Sequence, residues 1–352
     1  MELFWFIALC LMLIVYILLD GFDFGAGVIY TFFTRDESER KLIHRAIGPY
    51  WDANEVWLIA AGGIMFMAFP LLYASAFSGF YLPLMVLLWL LIFRALGLEL
   101  RHFVDHPLWH QFWDTAFGVA SFLLALFYGL ALGNVVRGVN LGGMEEGAAL
   151  YDSNYFFLPL WNNRFSPLSE RLGVVDWFTL ELGFVALLAL SIHGAAWIIL
   201  KTEGVLAERL RKKIPVWAAA LLALSLAALF VWQSIRPEAL QNYRAMPVLW
   251  AFPLLMLAGG VGLLFSHRLR ADWQPFFFSS LFIAGGLMAT AVSMYPMLLP
   301  SANASHPDLT VFNAGLDEAG AQVAKVWFAI GIVLVVGYFS FLFRMFRGKL
   351  RE

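Results

Sequence analysis

Cysteine is nearly absent. Cys10 is the only one in 352 residues and lies in an apolar run, so the chain can form neither an internal disulfide nor a thiolate metal cluster. Charge is scarce as well. Asp, Glu, Lys and Arg make up 14% of the chain, against about 25% in ordinary soluble domains, too little to keep a surface of this size in water. The net charge of −2 offers no basic excess to a nucleic acid. The GxxxxGK[ST] phosphate loop and the HExxH zinc pattern are both missing. Of seven histidines, His44, His102, His106, His110, His267 and His306 fall in loops or at segment ends. Only His193 lies well inside an apolar segment, so no two imidazoles face each other at one depth as a bis-histidine haem requires. His193 reads better as a hydrogen-bonded packing residue.

Apolar sequence takes the place of charge. Hydrophobic residues account for 61% and aromatics for 17%, a composition suited to lipid contact with interfacial aromatic belts. A bilayer crossing takes about 20 mostly apolar residues. On that measure the spans fall near 3–32, 52–74, 78–100, 113–136, 176–200, 215–235, 247–266, 274–299 and 321–345, an all-α integral membrane protein of about nine helices. The first is no cleaved signal, because no Lys or Arg precedes it and it runs well past the length of a signal core. Alternate loops share the basic residues unevenly, sixteen on one side against five on the other. The positive side is cytoplasmic, which puts the N-terminus outside and the C-terminus inside. The chain divides into a first bundle over 1–136, an external loop over 137–175, a second bundle with a further helix over 176–346, and a cytoplasmic tail at 347–352.

Ionisable groups within spans are costly and therefore mark function. Asp20 and Asp23 share one face of the first helix. Asp52, Asn54 and Glu55 open the second, and Arg94 and Glu99 lie near the exit of the third. Such carboxylates can pass protons into the membrane from the cytoplasm. Structural alternatives stand beside this reading. Asp52 can serve as a helix cap, and Arg94 is expected to pair with Asp20, Asp23 or Glu99. Asp114 reads as an interfacial cap, and Asp176, Glu181 and Lys325 as external caps and pairs.

The run Asp20-Gly-Phe-Asp23 with Gly25-Ala-Gly27 resembles the first-helix signature of subunit II of cytochrome bd quinol oxidases. Pro49-Tyr-Trp-Asp-Ala-Asn-Glu-Val-Trp57 is similar to that family's second motif, with Ala53 where the family carries Gly. Gly62-Gly63, Phe69-Pro70, Phe77-Ser-Gly-Phe-Tyr81 and Phe93-Arg94 follow in the family's order, and Tyr295-Pro296 and Leu309-Thr-Val-Phe-Asn-Ala314 extend the likeness along the chain. The resemblance implies two four-helix bundles plus one peripheral helix, and no haem on this chain. It also implies an obligate partner, subunit I, bearing haem b and haem d, with quinol and O2 as substrates of the complex. Asp52 inherits the role of lining a proton path, and Asp20, Asp23 and Arg94 match further polar positions. A structural quinone and a small single-helix accessory subunit are further possibilities that the family raises. The competing reading is a secondary transporter, or a proton-translocating subunit of another respiratory complex. A transporter would show inverted repeats around a midplane site.

Overall fold

A computed structural model describes residues 1–145, 148–151, 159–169, 172–303, 306–315 and 318–350. The expected external loop and cytoplasmic tail thus lie partly outside the described residues. In chain order the first half holds α1 (Glu2–Phe32), α2 (Glu37–Ile47), α3 (Trp51–Ala68), α4 (Pro70–Gly79), α5 (Tyr81–Leu100) and α6 (Pro107–Arg137). Strands β1 (Gly142–Glu145) and β2 (Ala148–Tyr151) form a hairpin, and α7 (Trp177–Lys201) and α8 (Val205–Ile235) follow. The remainder comprises α9 (Gln241–Ala245), α10 (Ala251–Leu264), α11 (Trp273–Met294), β3 (Met297–Leu299), β4 (Leu309–Thr310) and α12 (Glu318–Met345).

Among the described residues, eight helical segments are long and apolar enough to cross a membrane. The expected span 52–74 is the exception. It breaks into α3 and α4 at Phe69, whose ψ of 64° leaves the helical region. Pro70 causes this, since it donates no N–H and its ring excludes the preceding residue from helical geometry. Three boundaries also move. α8 starts ten residues before the expected 215, running through Pro215, because its first three turns bury only Leu206, Leu210 and Ile214 and turn their charges outward. α6 starts at Pro107, where His106 Nδ1 accepts from the Leu108 N–H. α11 stops at Met294, and Met297–Leu299 pairs instead with Leu309–Thr310 as a short antiparallel ladder; a hydropathy scale cannot tell an apolar strand from the end of an apolar helix.

α1 packs against α3, α6, α7 and α11, and α6 against α5 and α7, so α1, α3, α5 and α6 cluster in the first half. α7, α8, α10 and α11 cluster in the second, joined to the first where α7 meets α1 and α6. The α1–α7 crossing is backbone to backbone. A Cβ on Gly25 would lie 1.9 Å from the Leu190 carbonyl oxygen, and one on Gly194 would lie 2.2 Å from Gly25. Small residues permit this approach and bigger ones forbid it. α7 is accordingly the most enclosed span, 67% buried, whereas α12 is only 11% buried and lies at the periphery.

Candidate functional site

The first bundle holds an ionic cluster inside its apolar wall. Arg94 on α5 is fully buried, and its Nη1 donates to Asp20 Oδ1 on α1 at 2.6 Å while Nη2 donates to Glu55 on α3. Its guanidinium also lies over the Phe24 ring, 4.6 Å from the centroid, a cation–π contact that adds to its stabilisation. Asp23, one turn below Asp20, is bonded through Asn54, whose Nδ2 donates to Asp23 Oδ2 at 2.8 Å and to the Leu19 carbonyl at 3.1 Å. Spacing explains the pattern. Residues 20 and 23 on α1 face the same way, and 52 and 55 on α3 do likewise. Asn54 and Glu55 are consecutive and diverge, one toward Asp23 and the other toward Arg94.

Exposure is graded along this path. Asp52 is exposed, the Glu55 side chain is 27% exposed, and Asp20, Asp23 and Asn54 are wholly buried. Asp52 does not cap α3: the N-cap is Tyr50, with no side-chain cap bond, and Asp52 sits in the first turn. There its charge still complements the helix dipole. Glu99 points away and is exposed, so it takes no part in holding Arg94; the second carboxylate on the guanidinium is Glu55. Five polar atoms in or beside the cluster have no hydrogen-bond partner among the described residues: Asp20 Oδ2, Asp23 Oδ1, Asn54 Oδ1, Arg94 Nε and Trp57 Nε1. Above Asp20, the Tyr16 and Tyr128 hydroxyls lie 2.8 Å apart. Tyr16 stands four residues before Asp20, a spacing that sequence could have flagged, whereas Tyr128 carries no local signal.

A second cluster lies where α1 and α6 meet α2. Asp114 is two turns inside α6 and is no cap. It is buried and accepts from Arg101 Nε at 2.5 Å, from Arg40 Nη1 at 3.3 Å and from the Tyr30 hydroxyl. Arg101 Nη2 also donates to Glu37 at 2.6 Å. At the other end of the spans Asp176 caps α7 in a capping box with Thr179 and pairs with buried Arg137. Lys325 lies over Phe4, 4.7 Å from the ring centroid.

His193 and His44 are buried and packed against aromatic rings. Both His193 nitrogens are engaged, Nδ1 with Ser279 Oγ at 2.8 Å and Nε2 with the Leu18 carbonyl at 2.9 Å, and the ring is stacked on Phe276. His44 faces Tyr30, Phe117 and His102, with ring centroids 5.0, 5.6 and 5.6 Å away.

Fold and site together define a polytopic membrane protein that carries paired ionisable groups between its helices. The sequence matches the family described as Cytochrome bd terminal oxidase subunit II over residues 1–346. Similar proteins include the Probable cytochrome oxidase subunit 2 of Haemophilus influenzae, 29% identical over 98% of this chain and 94% of that one. The Cytochrome bd-I ubiquinol oxidase subunit 2 of Escherichia coli is 29% identical, covering 94% and 90% of the two chains. The Cytochrome bd ubiquinol oxidase subunit 2 of Bacillus subtilis is 27% identical over 98% and 95%. Among solved structures, the bd oxidase from Geobacillus thermodenitrificans shares the fold, with a TM-score of 0.62 over 98% of each chain at 14% identity.

The chain belongs to the subunit II family of cytochrome bd terminal oxidases. It is a multi-pass protein of the bacterial inner membrane, one subunit of an oxidoreductase complex that contains haem.

Proposed function

We propose that this chain is the haem-free subunit of a quinol:O2 oxidoreductase and that its first bundle carries protons from the cytoplasm toward haems b and d in subunit I. Ubiquinol, named for the relatives of Escherichia coli and Bacillus subtilis, is the electron donor this reading favours. The observation that carries it is the graded path from exposed Asp52, through Glu55, to buried Asp20 and Asp23, with carboxylate oxygens that have no partner among the described residues. Buried polar atoms without protein partners are satisfied by ordered water, and carboxylates joined by water can relay protons. Arg94 balances one charge of three carboxylates and so keeps the acids in place without neutralising all of them.

In this reading α3 and α4 share one crossing, giving nine spans with the N-terminus outside. The partner packs on the outer side of α3. Gly62 and Gly63 support that placement, because a Cβ on either would meet nothing within 4 Å, whereas Gly25, Gly194, Gly259 and Gly285 are each filled by a neighbouring helix. A glycine pair open at mid-span suits a helix supplied by another chain.

Replacing Asp52 with Asn tests the path. The amide keeps the shape, and since Asp52 makes no cap bond the stability cost is about 1 kcal/mol or less. Oxygen consumption by the purified complex should fall steeply at unchanged haem content. Normal consumption in a fully haem-loaded Asp52→Asn complex would leave Asp52 with only its helix-dipole role.

A further inference from the structure

The second bundle carries a basic cleft that the proton path does not use. It lies between the first turns of α8 and the short turn Ser266–Arg268 that follows α10. Glu208, Arg211, Lys212 and His267 line it, and it is an open depression of about 310 Å³. Its walls are fixed by ionic contacts. Arg211 donates to the Leu269 carbonyl at 3.1 Å and pairs with Asp272, and Asp272 also takes Lys349. Asp272 is thereby neutralised twice over, and among the described residues lining the cleft Glu208 is the only carboxylate. Lys212, Lys213, Arg268 and Arg270 pair with no carboxylate among the described residues. Lys213 lies over Phe33 and Arg268 over Phe265, contacts that leave their positive charges uncompensated.

Beneath this rim the surface turns apolar. Val216, one turn beyond Lys212 on the same face of α8, is 70% exposed. On α10 and just beyond it, Leu254, Leu257, Val261 and Phe265 form an exposed stripe at helical spacing. α8 and α10 are in contact there, with Leu222 filling the space beside Gly260. Cations at the membrane–water boundary above exposed apolar side chains match the two halves of a phospholipid.

We propose that this cleft binds the phosphodiester headgroup of an anionic phospholipid, with Lys212 and His267 as its donors and the acyl chains lying along α8 and α10. The net positive lining selects a headgroup with excess negative charge over a zwitterionic one, at about 1 kcal/mol for each basic group near the charge. The inference is independent of the proton path, since none of these residues belongs to it.

Native mass spectrometry of the detergent-purified complex, stripped of lipid and then titrated with phosphatidylglycerol or phosphatidylcholine, tests the site. The wild type should retain phosphatidylglycerol in preference to phosphatidylcholine. Lys212→Gln should weaken that retention roughly fivefold and Lys212→Glu further. Lys41→Glu, a charge change equal to that of Lys212→Glu at an exposed position of α2, should leave it unaltered, with haem absorbance reporting intact assembly in every variant. Equal retention of the two lipids would mean an unselective apolar annulus and would overturn the proposal. So would an equal loss in Lys41→Glu, which would indicate diffuse surface charge. Displacement of the lipid by millimolar inorganic phosphate would assign the cleft to free phosphate instead.

Discussion

Arg94 shows how much one residue can organise inside a membrane. Its guanidinium presents two faces of donors, and Asp20 and Glu55 take one each. Lysine, a point charge on a flexible stem, cannot bridge two carboxylates in that fixed geometry. Removing the cation strands two buried or half-buried acids, at a cost of about 3–5 kcal/mol. Arg94→Leu should therefore abolish accumulation of haem-loaded complex, and Arg94→Lys should give an intermediate yield, both read from the haem absorbance of membranes. Glu99→Gln serves as the internal comparison. Glu99 is exposed and outside the cluster, so yield and oxygen consumption should match the wild type. A full-yield Arg94→Leu complex would show that the ion pairs contribute little to assembly.

Helix α2 is the element whose position depends most on charge. It is short and polar, N-capped by Asp36, and tied down by Glu37 to Arg101 and by Glu39 to Arg209. Its His44 is buried against aromatic rings. Burial first, and then the positive charges of Arg101 and His102, push the imidazole down to about 3 from its ordinary value of 6.5. The unfolded chain therefore takes up a proton below pH 6.5 that the folded chain refuses. Stability is complete above that pH and declines as the pH falls toward 3. Between pH 6.5 and 5 the loss should reach about 2 kcal/mol, at roughly 1.4 kcal/mol per pH unit. His44→Gln should flatten the acid side of the thermal unfolding midpoint of the purified complex against pH. Parallel acid limbs in the two proteins would show that His44 is not the group responsible.

For the whole molecule, the partner surface is the consequential feature. Helices α3, α5 and α12 turn large apolar side chains outward, among them Ile59, Phe66, Trp89 and Leu334. Lipid can cover such faces, but open glycines at mid-span favour a closely packed helix. Gly62→Leu adds a side chain whose Cβ meets nothing within 4 Å among the described residues. The variant should therefore insert and fold on its own yet fail to recover haem-bearing partner on affinity purification. Full recovery of the partner would place the interface on another face.

Membrane placement, the approximate spans and the identity of the acid-bearing helices were all legible in the residues. The reason lies in the solvent. Hydrocarbon makes every apolar run of sufficient length and every intramembrane charge conspicuous one segment at a time. Asp20, Asp23, Asn54 and Arg94 could thus be selected before any packing was known. Whether Arg94 would pair with Glu55 or Glu99 could not be read, because that depends on how α3 and α5 are rotated about their axes against α1. Asp114 likewise looked like a helix start, and only the approach of Arg40 and Arg101 from two other elements made it a buried hub. Local chemistry settles which side chains must find partners within a bilayer; which partners they find is decided by close approaches such as Gly25 against Gly194, where the absence of a side chain sets the distance between helices far apart in sequence.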